Sequence, residues 1–123
     1  MRKNPLNTTD KRKPTRFYSK NQEDKVAKLV GGRRTLNSGA TSFQKGDVQT
    51  PEFLIECKTS IEEKKSFSIK HEWLKKLKIE ARGMGRPHYA LLFNYGGYES
   101  ENYCIISEKD FILFKKLLEE CKE

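Results

Sequence analysis

Gly46-Asp47-Val48-Gln49-Thr50-Pro51-Glu52-Phe53-Leu54-Ile55-Glu56-Cys57-Lys58 reads as a hairpin with charged side chains gathered on one face. Phe53-Leu54-Ile55 is a run of strand formers, and Thr50-Pro51-Glu52 supplies the turn ahead of it. Folding about Pro51 and Glu52 sets Asp47 opposite Glu56, close enough for the two carboxylates to share a divalent cation. Side chains alternate along a strand, so Lys58 points to the side of Glu56, while Ile55 and Cys57 point to the other. Two acids at the end of a strand pair suit Mg2+, with Mn2+ as the alternative: hard cations that take oxygen ligands and keep waters. Such an ion activates a water and offsets charge on a phosphoryl group, the requirement of phosphodiester hydrolysis. Lys58 would orient or deprotonate that water, or act as a point charge on the scissile phosphate. The competing reading is a solvated hairpin. The apolar run before Glu56 weighs against it, because charges closing a core strand need compensation for their burial.

Upstream, the pattern predicts a helix from Ser19 to Val30, with Ser19 as N-cap, Gln22 as its capping-box partner, and Gly31-Gly32 as the stop. Glu23 shares a face with Val26, Ala27 and Val30, which sets an acid on the inward stripe; Asp24 lies round the side. The alternative for Glu23 is a surface acid favoured by the helix dipole. Arg33 to Leu36 reads as a short strand, and Asn37 to Lys45 as a Ser/Gly/Thr/Gln loop.

Downstream, a polar linker from Thr59 to Phe67 leads to a helix over Lys70–Arg82, stopped by Gly83. Trp73, Leu74, Leu77 and Ala81 form its apolar stripe, with Lys75, Lys76, Lys78 and Arg82 around the remainder. Arg86 and His88 follow, and a basic helix with these neighbours is read either as a solvated face or as a phosphate track. The continuous apolar run His88–Asn94 predicts a strand covered on both faces. Tyr95-Gly96-Gly97 turns the chain into a last strand, Tyr103–Ile106. Ser107 and Asp110 form a capping box for a final helix whose Phe111, Phe114, Leu117, Leu118 and Cys121 predict a packing face or a dimer contact, the latter a role open also to the Tyr95–Tyr103 segment. The fold class is therefore α/β, a mixed sheet flanked by helices in the order α-β-β-β-α-β-β-α.

With Glu23, Arg33-Arg34-Thr35-Leu36-Asn37-Ser38-Gly39-Ala40, Gly46-Asp47 and Glu56-Cys57-Lys58 in this order, the chain resembles the PD-(D/E)XK nuclease superfamily. Within it, the chain looks most like the small Holliday-junction resolvases of archaeal and phage type. The resemblance spans residues 17 to 95. It implies a restriction-endonuclease-like sheet and a Mg2+-dependent endodeoxyribonuclease. Asp47 and Glu56 would be metal ligands, and Glu23 would complete the carboxylate set through a water or at a second metal. Ser38 would lie in the loop near the scissile phosphate, with Arg33, Arg34 and Lys45 lining the approach. Lys75, Lys76, Arg82 and Arg86 would follow the DNA backbone. Cleavage would leave a 5′-phosphate, and symmetric nicking of a four-way junction requires a homodimer. Two departures stand out: Gly46 occupies a position where the superfamily often has Pro, and the Asp47–Glu56 segment is short.

Composition agrees with a nucleic-acid partner. The chain has 123 residues, enough for one core, and a net charge of +8, which favours a polyanion, nucleic acid first and an acidic membrane surface second. Residues 1–16 hold Arg2, Lys3, Lys11, Arg12, Lys13 and Arg16 with almost nothing apolar, which predicts a disordered arm ahead of a single domain over 17–123. That arm either tracks phosphates or merely solubilises. The three cysteines, Cys57, Cys104 and Cys121, have no paired spacing and are expected as small buried residues in a reducing compartment. His71 and His88 lie in different elements, which argues against a histidine metal site or a triad. No apolar run spans a membrane and no signal peptide opens the chain, so the expected location is cytoplasmic. Two further readings stay open: another DNA nuclease of the same superfamily (nicking, flap or restriction-type), and a non-catalytic DNA-binding protein.

Overall fold

Phe53–Lys58 forms the central strand of a mixed sheet because its alternate residues find separate apolar layers. The structure, a computed structural model, describes residues 15–35, 46–97 and 101–122, with side chains from residue 20 onward. The elements are α1 (Thr15–Val30), β1 (Arg33–Arg34), β2 (Val48–Gln49), β3 (Phe53–Lys58), α2 (His71–Gly83), β4 (His88–Phe93), β5 (Tyr103–Ile105) and α3 (Glu108–Cys121). The order α-β-β-β-α-β-β-α is thus the one expected. The five strands lie in sequence order, with only β3 and β4 parallel. Parallel neighbours need a crossover, and α2 provides it.

On one face, Ile55 and Cys57 pack with Val26 and Ala27 of α1, Val48 and Ala90. On the other, Leu54 meets Leu77 and Ala81 of α2 and Leu91, flanked by Trp73, Leu74 and Phe93. Leu54, Leu77 and Leu91 are fully buried, each contributing about 2 kcal/mol by burial. The α2 stripe read from the sequence is therefore the one the core uses.

Several local expectations need correction. Helix α1 begins at Thr15, not Ser19, since neither Gly nor Pro falls between Thr15 and Val30 to stop propagation. Ser19 therefore lies inside the helix and cannot be its N-cap. Gly31 and Gly32 do end it: Gly31 takes φ 69°, and the Gly32 amide donates to the Ala27 carbonyl at 2.9 Å. Val26 and Ala27 face the core, but Val30 is exposed, because the last turn runs past the two-residue β1.

At α3, the Ser107 hydroxyl accepts from the Asp110 amide (3.1 Å), but the Asp110 carboxylate pairs with His88 Nδ1 at 3.0 Å. The cap is present and the reciprocal half of the box is replaced by a long-range pair. Phe114 packs on Phe53 and His88, whereas Phe111, Leu117, Leu118 and Cys121 are exposed. The expected packing stripe is covered only there, since the three-residue β5 offers little sheet beneath the helix. Cys57 is buried as expected; Cys104 and Cys121 are exposed, which corrects the reading of all three as core residues.

Candidate active site

The β2–β3 register pairs Val48 with Ile55 and Gln49 with Leu54. Beyond it the ladder is irregular: the Asp47 amide also donates to the Ile55 carbonyl, at 2.9 Å, and Asp47 lies close enough to Glu56 for its charge to raise that carboxyl. The turn is tight: the Thr50 hydroxyl accepts from the Glu52 and Phe53 amides, and the Thr50 amide donates to the Phe53 carbonyl. A shallow hairpin suffices because the Asp47 side chain is fixed independently. Its Oδ2 accepts from the Cys57 amide at 2.8 Å, in the middle of the Glu56-Cys57-Lys58 motif. Gly46 takes φ 76°, and a Cβ there would lie 2.7 Å from Leu54 Cδ1, so proline, with its fixed negative φ, does not fit this position.

Alternation turns Glu56 and Lys58 toward the α2 side, as it does Leu54. Lys58 Nζ lies 3.4 Å from Glu56 Oε2 and 4.3 Å from the centre of the Trp73 ring. Trp73 is thus a core residue that also braces the lysine. Gln22 is buried, and its Nε2 donates to the Lys58 carbonyl and to Asn102 Oδ1, both at 2.9 Å. It therefore clamps the end of β3 and is not a capping partner of Ser19.

Glu23 faces Arg34, whose Nη2 is 3.2 Å from Glu23 Oε1 and whose Nε is 3.5 Å from Asp24 Oδ1. Burial raises the pKa of all three carboxyls. For Asp47 the rise is opposed by the Cys57 amide, Lys58 and Arg34. For Glu23, Asp47 adds to burial while Arg34 opposes. Glu56 is pushed up to about 7 by burial and then by Asp47, with Lys58 opposing and Glu80 adding. Asp47 is the shared neighbour of the other two acids, and the cations present do not fully offset the cluster.

Such a donor set fits a divalent ion: oxygen-only, half-enclosed, and relieved by added positive charge. Asp47 and Glu56 are the residues that would hold it. Among the described residues, no group of three or more His, Cys, Asp or Glu is gathered to hold a metal. Glu23 stands behind this pair, engaged by Arg34.

Glu80, an acid close enough to raise Glu56, was not singled out from the sequence. Its position three residues after Leu77 places it beside the buried stripe of α2, and that was the available signal. Lys76 Nζ lies 3.8 Å from its carboxylate, which brings one expected DNA-contacting lysine to the rim of the site. Arg33 and Lys75 are exposed. Arg82 and Arg86 are not gathered at the carboxylates. They sit at the other end of the sheet and, with Lys78 and Lys109, line a cleft of about 890 Å³. There Arg86 is half-buried and donates to Gln49 Oε1. Ser38 and Lys45 lie outside the described residues, as do residues 1–14.

Scanned against protein-family models, curated proteins and solved structures, the chain matches none of them. Among the described residues, no helix is long and apolar enough to cross a membrane.

Proposed function

We propose that the protein is a divalent-metal-dependent endodeoxyribonuclease. The observation that carries this reading is the proximity of Asp47 to Glu56, with Lys58 3.4 Å from Glu56 and Asp47 tied to the main chain at Cys57. Asp47 and Glu56 would hold Mg2+ or Mn2+, which would supply Lewis-acid activation of a water and neutralise charge on the phosphoryl oxygens.

The chain's own residues do the rest. The Cys57 amide fixes the Asp47 carboxylate, so little reorganisation is needed when DNA arrives. Lys58, held between Glu56 and Trp73, presents a point charge toward the scissile phosphate and positions the attacking water. Arg34 restrains Glu23 and Asp24 and keeps a second positive group near Asp47. The net charge of +8 supplies a salt-sensitive attraction for the DNA backbone.

Four-way junctions are the substrate that the resemblance to the resolvases favours, cut by a homodimer to leave 5′-phosphates. The exposed Phe111, Leu117 and Leu118 of α3 offer an apolar surface for a second copy. The test is cleavage of a labelled four-way junction beside linear duplex of the same sequence, with and without Mg2+, by the wild type and Glu56→Gln. Paired nicks on the junction alone, absent in the variant, are expected. Cutting of both substrates would remove the junction assignment, and binding without cutting in any lane would remove the nuclease.

A further inference from the structure

The parallel register sets Lys58 beside Phe93, and the antiparallel register sets Phe93 beside Tyr103. Directly paired residues share a sheet face, so Lys58, Phe93 and Tyr103 form one row on the face that carries Glu56. The row does not end in a closed core. Phe93 is flanked by Phe67 (centroids 5.4 Å), Tyr95 (5.6 Å) and Tyr103 (6.0 Å), and the two tyrosines meet edge-on at 6.0 Å. Tyr95 and Tyr103 remain 37% and 49% exposed. They are braced by the partly buried Phe93 yet open to solvent, a preorganised aromatic surface beside the lysine.

We infer that Tyr95 and Tyr103 form a stacking platform for an unpaired or unstacked nucleobase next to the scissile phosphate. The inference rests on the nuclease reading and narrows its substrate to DNA whose base stack is interrupted. Strands ~4.8 Å apart place Tyr103 about 10 Å across the sheet from Lys58. That is roughly three steps of a stacked strand at ~3.4 Å each, and fewer once the strand is splayed. Bases inside a continuous duplex already stack on both sides and have no free ring face to offer. A base at a branch point or a single-strand/duplex boundary does, and an aromatic ring accepts it whatever its identity. The platform therefore selects for a structure and not for a sequence.

The test is binding, in the cleavage-deficient Glu56→Gln background, of a four-way junction and a splayed duplex, each with 2-aminopurine at the branch, and of linear duplex. Tyr95→Ala/Tyr103→Ala is expected to weaken branched DNA by about 5- to 150-fold per stacked base lost. It should also abolish the 2-aminopurine quenching and leave linear-duplex affinity unchanged. Tyr95→Phe/Tyr103→Phe should retain both affinity and quenching. Unchanged affinity for branched DNA in the alanine variant, or equal loss on linear duplex, would overturn the platform. A size-exclusion shift from dimer to monomer that accounts for the loss would assign the tyrosines to an interface between copies and overturn it too. Because these readouts need no cutting, absence of cleavage by the otherwise wild-type protein would overturn the nuclease reading, and with it the placement beside a scissile phosphate, while base stacking on the tyrosines is read separately by quenching.

Discussion

Glu56 should destabilise the metal-free protein near neutral pH, and Glu56→Gln should relieve it. Its carboxyl titrates at about 7 in the fold against 4.5 for an unperturbed glutamate, pushed there by burial and by Asp47. The side chain is 26% exposed, so solvent screens it only partly. The gap between 4.5 and about 7, at ~1.4 kcal/mol per pH unit, corresponds to ~3 kcal/mol. For a raised carboxyl the folded state holds its proton more tightly than the unfolded state does. This contribution is therefore fully present below pH ~4.5 and is lost as the pH rises through ~7. At pH 8 in chelator, the glutamine variant should be more stable than the wild type by ~2–3 kcal/mol, about 10 °C in melting temperature for a chain of this size. At pH 4 the two should converge. Mg2+ should raise the melting temperature of the wild type at pH 8 and have much less effect on the variant, because only the wild type has the carboxylate pair to bind it. Thermal melts at pH 4 and pH 8, with chelator or Mg2+, decide the matter. A glutamine variant that melts at or below the wild type at pH 8 in chelator would refute the picture of a crowded, undercompensated pair.

Other outcomes follow from the same geometry. Lys58→Met should leave DNA binding within a few-fold and cut single-turnover cleavage by roughly 100-fold or more, checked with saturating enzyme on labelled DNA. Gly46→Ala forces both an unfavourable φ and a clash with Leu54, so it should cost about 1–3 kcal/mol in urea unfolding. Reversing the charge of Lys78 and Lys109 in the remote cleft should flatten the salt dependence of DNA affinity by about two phosphate contacts without changing the cleavage rate at saturation; an unchanged slope would leave that cleft outside the DNA footprint.

The features legible in the sequence were those set by short-range periodicity. Alternation along Phe53–Lys58 and the stripe from Trp73 to Ala81 identified β3 and α2, and the Thr50-Pro51-Glu52 turn fixed the register that pairs Val48 with Ile55. What was not legible depends on partners far along the chain. Gln22 looks like a local capping residue, yet it bonds the Lys58 carbonyl and Asn102, 36 and 80 positions away. Asp110 fits a capping box until His88 is brought beside it. The start of α1 was misplaced because Ser19 has a cap's chemistry but nothing ahead of it halts the helix. The α3 stripe was correct as a pattern, but amphipathicity cannot say how much sheet lies beneath it.

The bond from the Cys57 amide to Asp47 has a consequence for how this site can be altered. A main-chain donor is supplied by every residue except proline, so the side chain at position 57 is not needed for this bond and is set by the apolar layer it enters, beside the acids. Alanine, valine or serine could stand there at a modest packing cost while the carboxylate kept its bearing. Proline would remove the anchor outright. Residue type at position 57 can therefore follow the packing of that layer while the anchor on Asp47 is kept.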